Sequence, residues 1–226
     1  MLVIKIGGGA AIRDAAYANF AADLATLDEP AVVVHGGNAE FSRLSRELGM
    51  PPRMITSASG RVSRYTDAAT MDAMLMAYAG KVNKRLVAAL QAAGVDAVGL
   101  SAIDGGIARG RRKPVLRGTE DGKPKVLRDD HAGTLEAVDL RLLRLLLDAG
   151  FLPVLTPPAL GEDGVPINVD GDKLALELAV ALGAAGLLFF SDTPGLLADK
   201  DDERTLIREL DAADPEAALA AAAGRM

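Results

Sequence analysis

The 226-residue sequence contains no cysteine, which excludes a disulfide framework, a thiolate nucleophile and a cysteine-ligated zinc site. It has no apolar run near the ~20 residues that a membrane-spanning helix needs. Nor does it open with the basic start, apolar stretch and small-residue cleavage site of a secretory leader. Met1 leads directly into Leu2-Val3-Ile4-Lys5-Ile6. The expectation is a cytoplasmic, soluble protein with no membrane partner. Positive charge is also scarce: 25 Lys and Arg stand against 31 Asp and Glu, a formal net charge of -6, which argues against a dedicated nucleic-acid binder. Half of the residues are hydrophobic, so disorder is excluded and a sizeable core can form. The length fits one large α/β domain or two interleaved lobes.

Short β-branched runs alternate with longer Ala/Leu-rich stretches, the signal of a mostly parallel sheet wrapped by helices. Strands are expected at 2–6, 31–34, 95–100, 152–155 and 187–190. They are almost continuously apolar, as when both faces of a sheet are covered. Helices are expected at 15–27, 39–48, 67–93, 140–149 and 173–182, with a further one in the Ala-rich tail 211–223. In the long helix the stripe Met71, Met74, Leu75, Tyr78, Val82, Leu86 and Leu90 reads as core, with methionine filling gaps. Gly80 marks a kink or a close packing point there. Residues 105–128 are turn-broken and basic, and read as a β-hairpin inserted between helical units.

Lys5-Ile6-Gly7-Gly8-Gly9 closes the first strand. Glycines at a strand-to-helix turn let backbone N–H groups approach an anion, and a preceding lysine adds a mobile positive charge. The alternative is a plain tight turn with a solvated lysine. The run is neither a Walker P-loop nor a GxGxxG fingerprint, because the required spacing and GK[ST] ending are absent. His35-Gly36-Gly37-Asn38 repeats the arrangement after the second strand, and two such turns on adjacent strands point to one crevice at the carboxyl edge of the sheet. His35 fixes the loop and has no proton-transfer role in this reading. Asp170-Gly171-Asp172, ahead of a helix, either caps that helix or supplies a carboxylate to orient a cation near phosphate. Ser191 and Asp192, after the last strand, either bind nucleotide or form the turn.

In this order and at these strand ends, the four segments resemble the amino acid kinase family, from Met1 to Met226. Within it the similarity is to the acetylglutamate kinases and to the lysine-biosynthesis branch beside them. The resemblance implies a three-layer αβα sandwich around a mostly parallel sheet, with an acceptor-binding lobe over 1–160 and an ATP-binding lobe over 161–226. It implies transfer of the γ-phosphoryl group of ATP, with Mg²⁺ arriving as part of the substrate complex, to a side-chain carboxylate. No prosthetic group and no protein-bound metal are expected. Lys5 then resembles the lysine that touches the transferring phosphoryl group, and Asp172 the aspartate that organises it. Gly7, Gly8 and Gly9 resemble the phosphate-holding turn, and Ser191 and Asp192 the nucleotide contacts. Gly36, Gly37, Arg64 and Asn168 fall on the acceptor side. A homodimer is implied as well. The family also carries a second phosphoryl-contacting lysine after a Gly-x-Met sequence. Here Gly224-Arg225-Met226 is the end, so that lysine and the last strands are expected to lie beyond it.

Two features separate the branches. Acetylglutamate kinases show a third glycine after His-Gly-Gly, where this chain has Asn38-Ala39-Glu40, and Arg109, Arg111, Arg112, Lys113 and Arg117 concentrate positive charge within nine residues. A solvated surface explains most charge runs. The lysine branch, however, acts on aminoadipate, and in places glutamate, attached to an acidic amino-group carrier protein, which a basic patch beside the acceptor site would attract. Phosphorylation of carrier-borne aminoadipate is therefore the expected function. N-acetylglutamate as acceptor is the alternative, and a non-catalytic effector-binding protein is the reading from another class.

Overall fold

A computed structural model describes residues 1–9, 14–57, 60, 62–120, 122–199, 201–211, 213 and 216. In chain order the elements begin with β1 (Leu2–Ile6), α1 (Asp14–Leu24), β2 (Ala31–His35), α2 (Asn38–Glu47), β3 (Arg53–Thr56), β4 (Val62–Tyr65) and α3 (Ala68–Leu75). A π-helical segment (Met76–Val82) runs on into α4 (Asn83–Ala92), followed by β5 (Ala97–Ser101), β6 (Ala108–Arg112), β7 (Val115–Glu120), β8 (Lys123–Arg128) and β9 (Gly133–Val138). The remainder is α5 (Arg141–Asp148), β10 (Leu152–Thr156), β11 (Ala159–Gly161), β12 (Pro166–Ile167), α6 (Gly171–Leu182) and β13 (Gly186–Phe190).

The central sheet is parallel throughout, in the order β13-β1-β2-β10-β5. Successive side chains of a strand point to opposite faces, and here both faces are covered. Val3, Val32, Val34 and Leu155 pack with Leu143 of α5 and with Leu174 and Leu178 of α6. Ile4, Ile6, Val33 and Val154 pack on the other side with Ala21 of α1 and with Leu86 and Leu90 of α4. The result is the expected αβα sandwich.

Met71 and Met74 are almost wholly buried with Phe41 and Tyr78, so the methionine stripe is core. The expected long helix is continuous, but its middle winds as a π-helix with Gly80 inside it. One extra residue per turn there re-aims the flanking side chains, a distortion that tends to sit at functional sites.

Two smaller sheets, β12-β11-β6-β9 and β4-β3-β7-β8, flank the central one. They correct the single basic hairpin expected over 105–128. Only β7 and β8 form a hairpin; β6 pairs antiparallel with β9 and parallel with β11. Pro114, which cannot donate to a ladder, separates β6 from β7. A side chain at Gly110 would put its Cβ 2.2 Å from the Thr134 carbonyl oxygen, so β6 lies too close to β9 to swing into the other sheet.

Packing divides the chain after Phe190 into Met1–Phe190 and a second unit that opens at Ser191. That boundary is one of packing and does not test the lobes expected at 1–160 and 161–226. In the second unit Leu197 and Leu206 form a β-bridge next to a 3₁₀ turn over Glu203–Thr205. Nearly all of the expected tail helix, and Gly224-Arg225-Met226, lie outside the described residues.

Candidate functional site

A cleft of about 790 Å³ opens at the carboxyl ends of β1, β2 and β10, with Lys5, Gly8, Gly36, Arg64, Asn168 and Asp172 among its lining residues. Lys5 is carried into it by β1, in register with Val34 of β2. Its side chain is 14% exposed and forms an ion pair with Asp172, in the first turn of α6. A lysine that deep needs a counter-charge, and Asp172 supplies it while staying 54% exposed itself. Asp170 resolves its own two readings as a helix cap: its Oδ1 accepts from the N–H groups of Asp172 and Lys173 at 2.8 and 3.2 Å. The cap fixes the turn that holds Asp172 against Lys5.

The two glycine turns press against each other. A Cβ on Gly8 would lie 2.3 Å from Gly37 N, and one on Gly36 would lie 2.8 Å from Gly8 N, so neither position has room for a side chain. Gly36 N–H donates to the Ile6 carbonyl at 3.0 Å and Ala39 N–H to the Gly8 carbonyl at 2.8 Å, stitching the turns together. Gly7 N–H is spent on the Phe190 carbonyl at 2.8 Å. Among the described residues no acceptor takes the N–H of Gly8 or Asn38, while the Gly37 N–H faces the Tyr78 hydroxyl. These are donors at a cleft that also holds an ammonium group, an arrangement suited to an anion.

Arg64, on β4, lies over the Phe41 ring with its guanidinium carbon 4.4 Å from the ring centre. Its Nη1 donates to Asn38 Oδ1 at 3.3 Å, and its buried Nε has no partner. Burial lowers its pKa, yet arginine starts so high that the charge remains. No carboxylate among the described residues pairs with it. A half-buried guanidinium with spare donors facing a cleft is a receptor for a carboxylate. Asn168 lines the same cleft, its Nδ2 donating to Thr66 Oγ1 at 3.4 Å and its backbone bridging His131 and Gly133.

Among the lining residues that the sequence did not assign to the site, three carry polar groups that shape it. Asn38 is one; its Oδ1 also accepts from Tyr78 Oη at 2.8 Å. Tyr78 reaches it from the π-helical segment, and burial pushes the phenol's pKa up. Asp130 is the third: buried, with its pKa raised by that burial, it accepts from the N–H groups of Thr66 and Ala132 at 3.0 and 3.3 Å. The run Asp129-Asp130-His131 ahead of Gly133 was the available signal for it.

The basic cluster does not stay together. Arg111 is tied to Glu136, and Arg112 to Asp129 and to the Asp130 carbonyl, the latter at 2.9 Å. Arg109 is exposed on β6. Lys113 alone of the five lines the cleft. Arg117 stands exposed on β7, on the same face of its sheet as Val115, Val126 and Arg128. By register Val62 and Arg64 share that face, and Val62 and Val126 are 56% and 57% exposed. Ser191 and Asp192 belong to the second unit, where Thr193 N–H donates to Ser191 Oγ at 3.1 Å.

A model described as "Amino acid kinase family" matches residues 1–226. A "[LysW]-aminoadipate kinase" of Deinococcus radiodurans is 50% identical over 229 residues, an overlap spanning 100% of this chain and 77% of that protein. An "Acetylglutamate kinase" of Methanopyrus kandleri is 38% identical over 216 residues, covering 96% and 81% respectively. Among solved structures, an N-acetylglutamate synthase from Neisseria gonorrhoeae, complexed with coenzyme A and N-acetyl-glutamate, is similar with a TM-score of 0.72 at 27% identity, over 96% of this chain and 46% of that one.

Proposed function

The chain belongs to the amino acid kinase family, and on that premise we propose that it phosphorylates the side-chain carboxylate of aminoadipate borne on an acidic carrier protein. One observation carries the reading: Lys5, steadied by Asp172, shares a cleft with an Arg64 that has no carboxylate partner among the described residues. That pairs a phosphoryl-stabilising cation with an anchor for an acidic acceptor.

The acceptor carboxylate is itself the nucleophile and needs no general base. Its oxygen bonds to the γ-phosphorus of ATP while the bond to the β–γ bridging oxygen breaks, giving an acyl phosphate and ADP. Catalysis of this step is positioning and charge stabilisation. Lys5 meets the charge on the phosphoryl oxygens, the Gly8 N–H donates to them, and the Gly36-Gly37 turn serves the acceptor. Arg64 and Asn168 hold the acceptor, and Mg²⁺ enters with ATP as part of the substrate. Ser191 and Asp192 contact the nucleotide in this proposal, with 1–160 serving the acceptor and 161–226 serving ATP.

The carrier docks on the sheet face beside the cleft, where Lys113, Arg117 and Arg128 stand among exposed Val62, Val115 and Val126. Arg111 and Arg112 contribute less, since their charge is already spent on carboxylates. A homodimer working in the cytoplasm completes the proposal; no helix among the described residues is long and apolar enough to cross a membrane. ADP release measured with three acceptors tests it. LysW-borne aminoadipate should turn over, free aminoadipate and N-acetylglutamate should do so poorly, and a preference for N-acetylglutamate would overturn the carrier reading.

A further inference from the structure

Behind the second glycine turn lies a buried polar chain that phosphoryl transfer does not use directly. His35, the last residue of β2, and Asn83, the first of α4, are both fully buried. Asn83 Nδ2 donates to the Val154 carbonyl at 3.0 Å, and Asn83 Oδ1 accepts from Lys84 Nζ at 3.1 Å. Lys84 Nζ is itself anchored on the Gly99 carbonyl at 3.0 Å. A carbonyl can only accept and an ammonium can only donate, so these partners settle which end of the amide is nitrogen. Nδ2 also stands 3.0 Å from His35 Nε2. Having only hydrogens to offer, it obliges Nε2 to accept. The ring's proton therefore sits on Nδ1, 2.8 Å from the Gly36 carbonyl oxygen.

The peptide that follows is planar and trans, so its C=O and N–H point in opposite directions. With the Gly36 carbonyl held on the buried ring, the Gly37 N–H is turned away from it. Gly37 N is the atom that lies 2.3 Å from where a Cβ on Gly8 would be. The donor so turned faces the Tyr78 hydroxyl, which lines the cleft.

We propose that Asn83 is a positioning residue for the acceptor turn: it fixes His35 as the Nδ1–H tautomer, which clamps the Gly36 carbonyl and aims the Gly37 N–H. This deepens the kinase reading and rests on it for the word acceptor. The ring's surroundings agree. Burial and the nearby Lys84 charge hold its pKa down at about 4, so it stays neutral in the working range. Lys84 is the charged group that acts on it; from β1 and β10 it meets Ile6 and Thr156, which carry no charge.

The first measurement needs no variant. The chain has two histidines, so ¹⁵N-detected imidazole NMR resolves His35 after one assignment substitution at His131. Between pH 6 and 8, an interval set by the ordinary histidine range, the ring should stay in the Nδ1–H neutral form, and an Nε2–H or mixed signature overturns the proposal. The second measurement is Asn83→Asp. A carboxylate can only accept, so it demands a hydrogen on Nε2 and raises the His35 pKa. The clamp then survives only while the ring is doubly protonated. KM for LysW-borne aminoadipate should be near normal at low pH and rise about tenfold as the ring loses its second proton, while KM for ATP stays flat. Asn83→Leu should show the tenfold rise at every pH. A purely structural role would move neither the pH profile nor one KM alone, and a flat profile or equal changes in both would count against the clamp. If no acceptor turns over at all, the kinase reading falls and the NMR tautomer still decides this one.

Discussion

Lys5 meets Asp172 inside the cleft, and this ion pair invites the sharpest test at the level of single residues. Lys5→Ala should lower kcat by about two to three orders of magnitude, as expected when a donor to developing charge is removed. ATP affinity measured by calorimetry should move far less; near-normal turnover would remove Lys5 from the chemistry. Arg64 lies over the Phe41 ring and offers a planar fork, which an ammonium cannot copy. Arg64→Lys should therefore raise acceptor KM by about tenfold with KM for ATP unchanged, and the reverse pattern would put this side chain on the nucleotide side. Gly8→Ala is the third case. Its methyl would enter the space held by Gly37 N, so one of the two turns must move. Activity should collapse even if the fold survives, and an active Gly8→Ala protein would mean the turns are looser than their packing indicates.

At the scale of elements, what was legible in the sequence depended on how a segment is buried. Strands β1, β2, β5, β10 and β13 are covered on both faces or run beside strands that are, so nearly unbroken apolar runs announced them to within two residues at either end. The short strands β3, β4, β9, β11 and β12 went unread. They belong to small side sheets, carry mixed polar residues, and owe much of their pairing to contacts distant in sequence, as Thr56 opposite Thr119 and Ala108 opposite Val138 show. The site divides the same way. Lys5, Gly8, Gly36 and Asp172 stand at strand or helix ends where local chemistry is visible. Asn38, Tyr78 and Asp130 become neighbours of the cleft only through folding: Tyr78 arrives because a π-helical segment turns it onto Gly37 and Asn38. The basic run misled because charge counted along a sequence does not reveal which arginines already have carboxylate partners. Helix α6 offers a test at this scale. Asp170→Ala removes its cap and should cost about 1 kcal/mol in urea unfolding. The loss should also reach catalysis, since the capped turn carries Asp172. Unchanged stability and kcat would show that the turn holds itself.

For the whole molecule, acid should be destabilising before the carboxylates titrate. His35 is held neutral in the fold with its pKa at about 4, whereas in the unfolded chain it takes up a proton near 6.5. A depressed folded value means the unfolded state binds the proton first as pH falls. The contribution is then complete above about 6.5 and is lost progressively down to about 4, amounting to roughly 3 kcal/mol. Urea midpoints across that window should fall in the wild type, and His35→Gln, though less stable at pH 7, should show a flatter slope. Association with the carrier has its own signature. Exposed charges are screened over about 8 Å at physiological salt, so KM for the carrier substrate should rise steeply with added salt while KM for ATP does not. Replacing Lys113, Arg117 and Arg128 by Ser should flatten that dependence more than replacing the carboxylate-bound Arg111 and Arg112 does. Whether a carboxylate is phosphorylated in this cleft can be read by trapping the product with hydroxylamine and locating the hydroxamate on LysW by mass spectrometry. An ATP-dependent hydroxamate should form at the aminoadipate side-chain carboxyl, strongly reduced with Lys5→Ala; no hydroxamate, or equal amounts from Lys5→Ala, would rule out this chemistry.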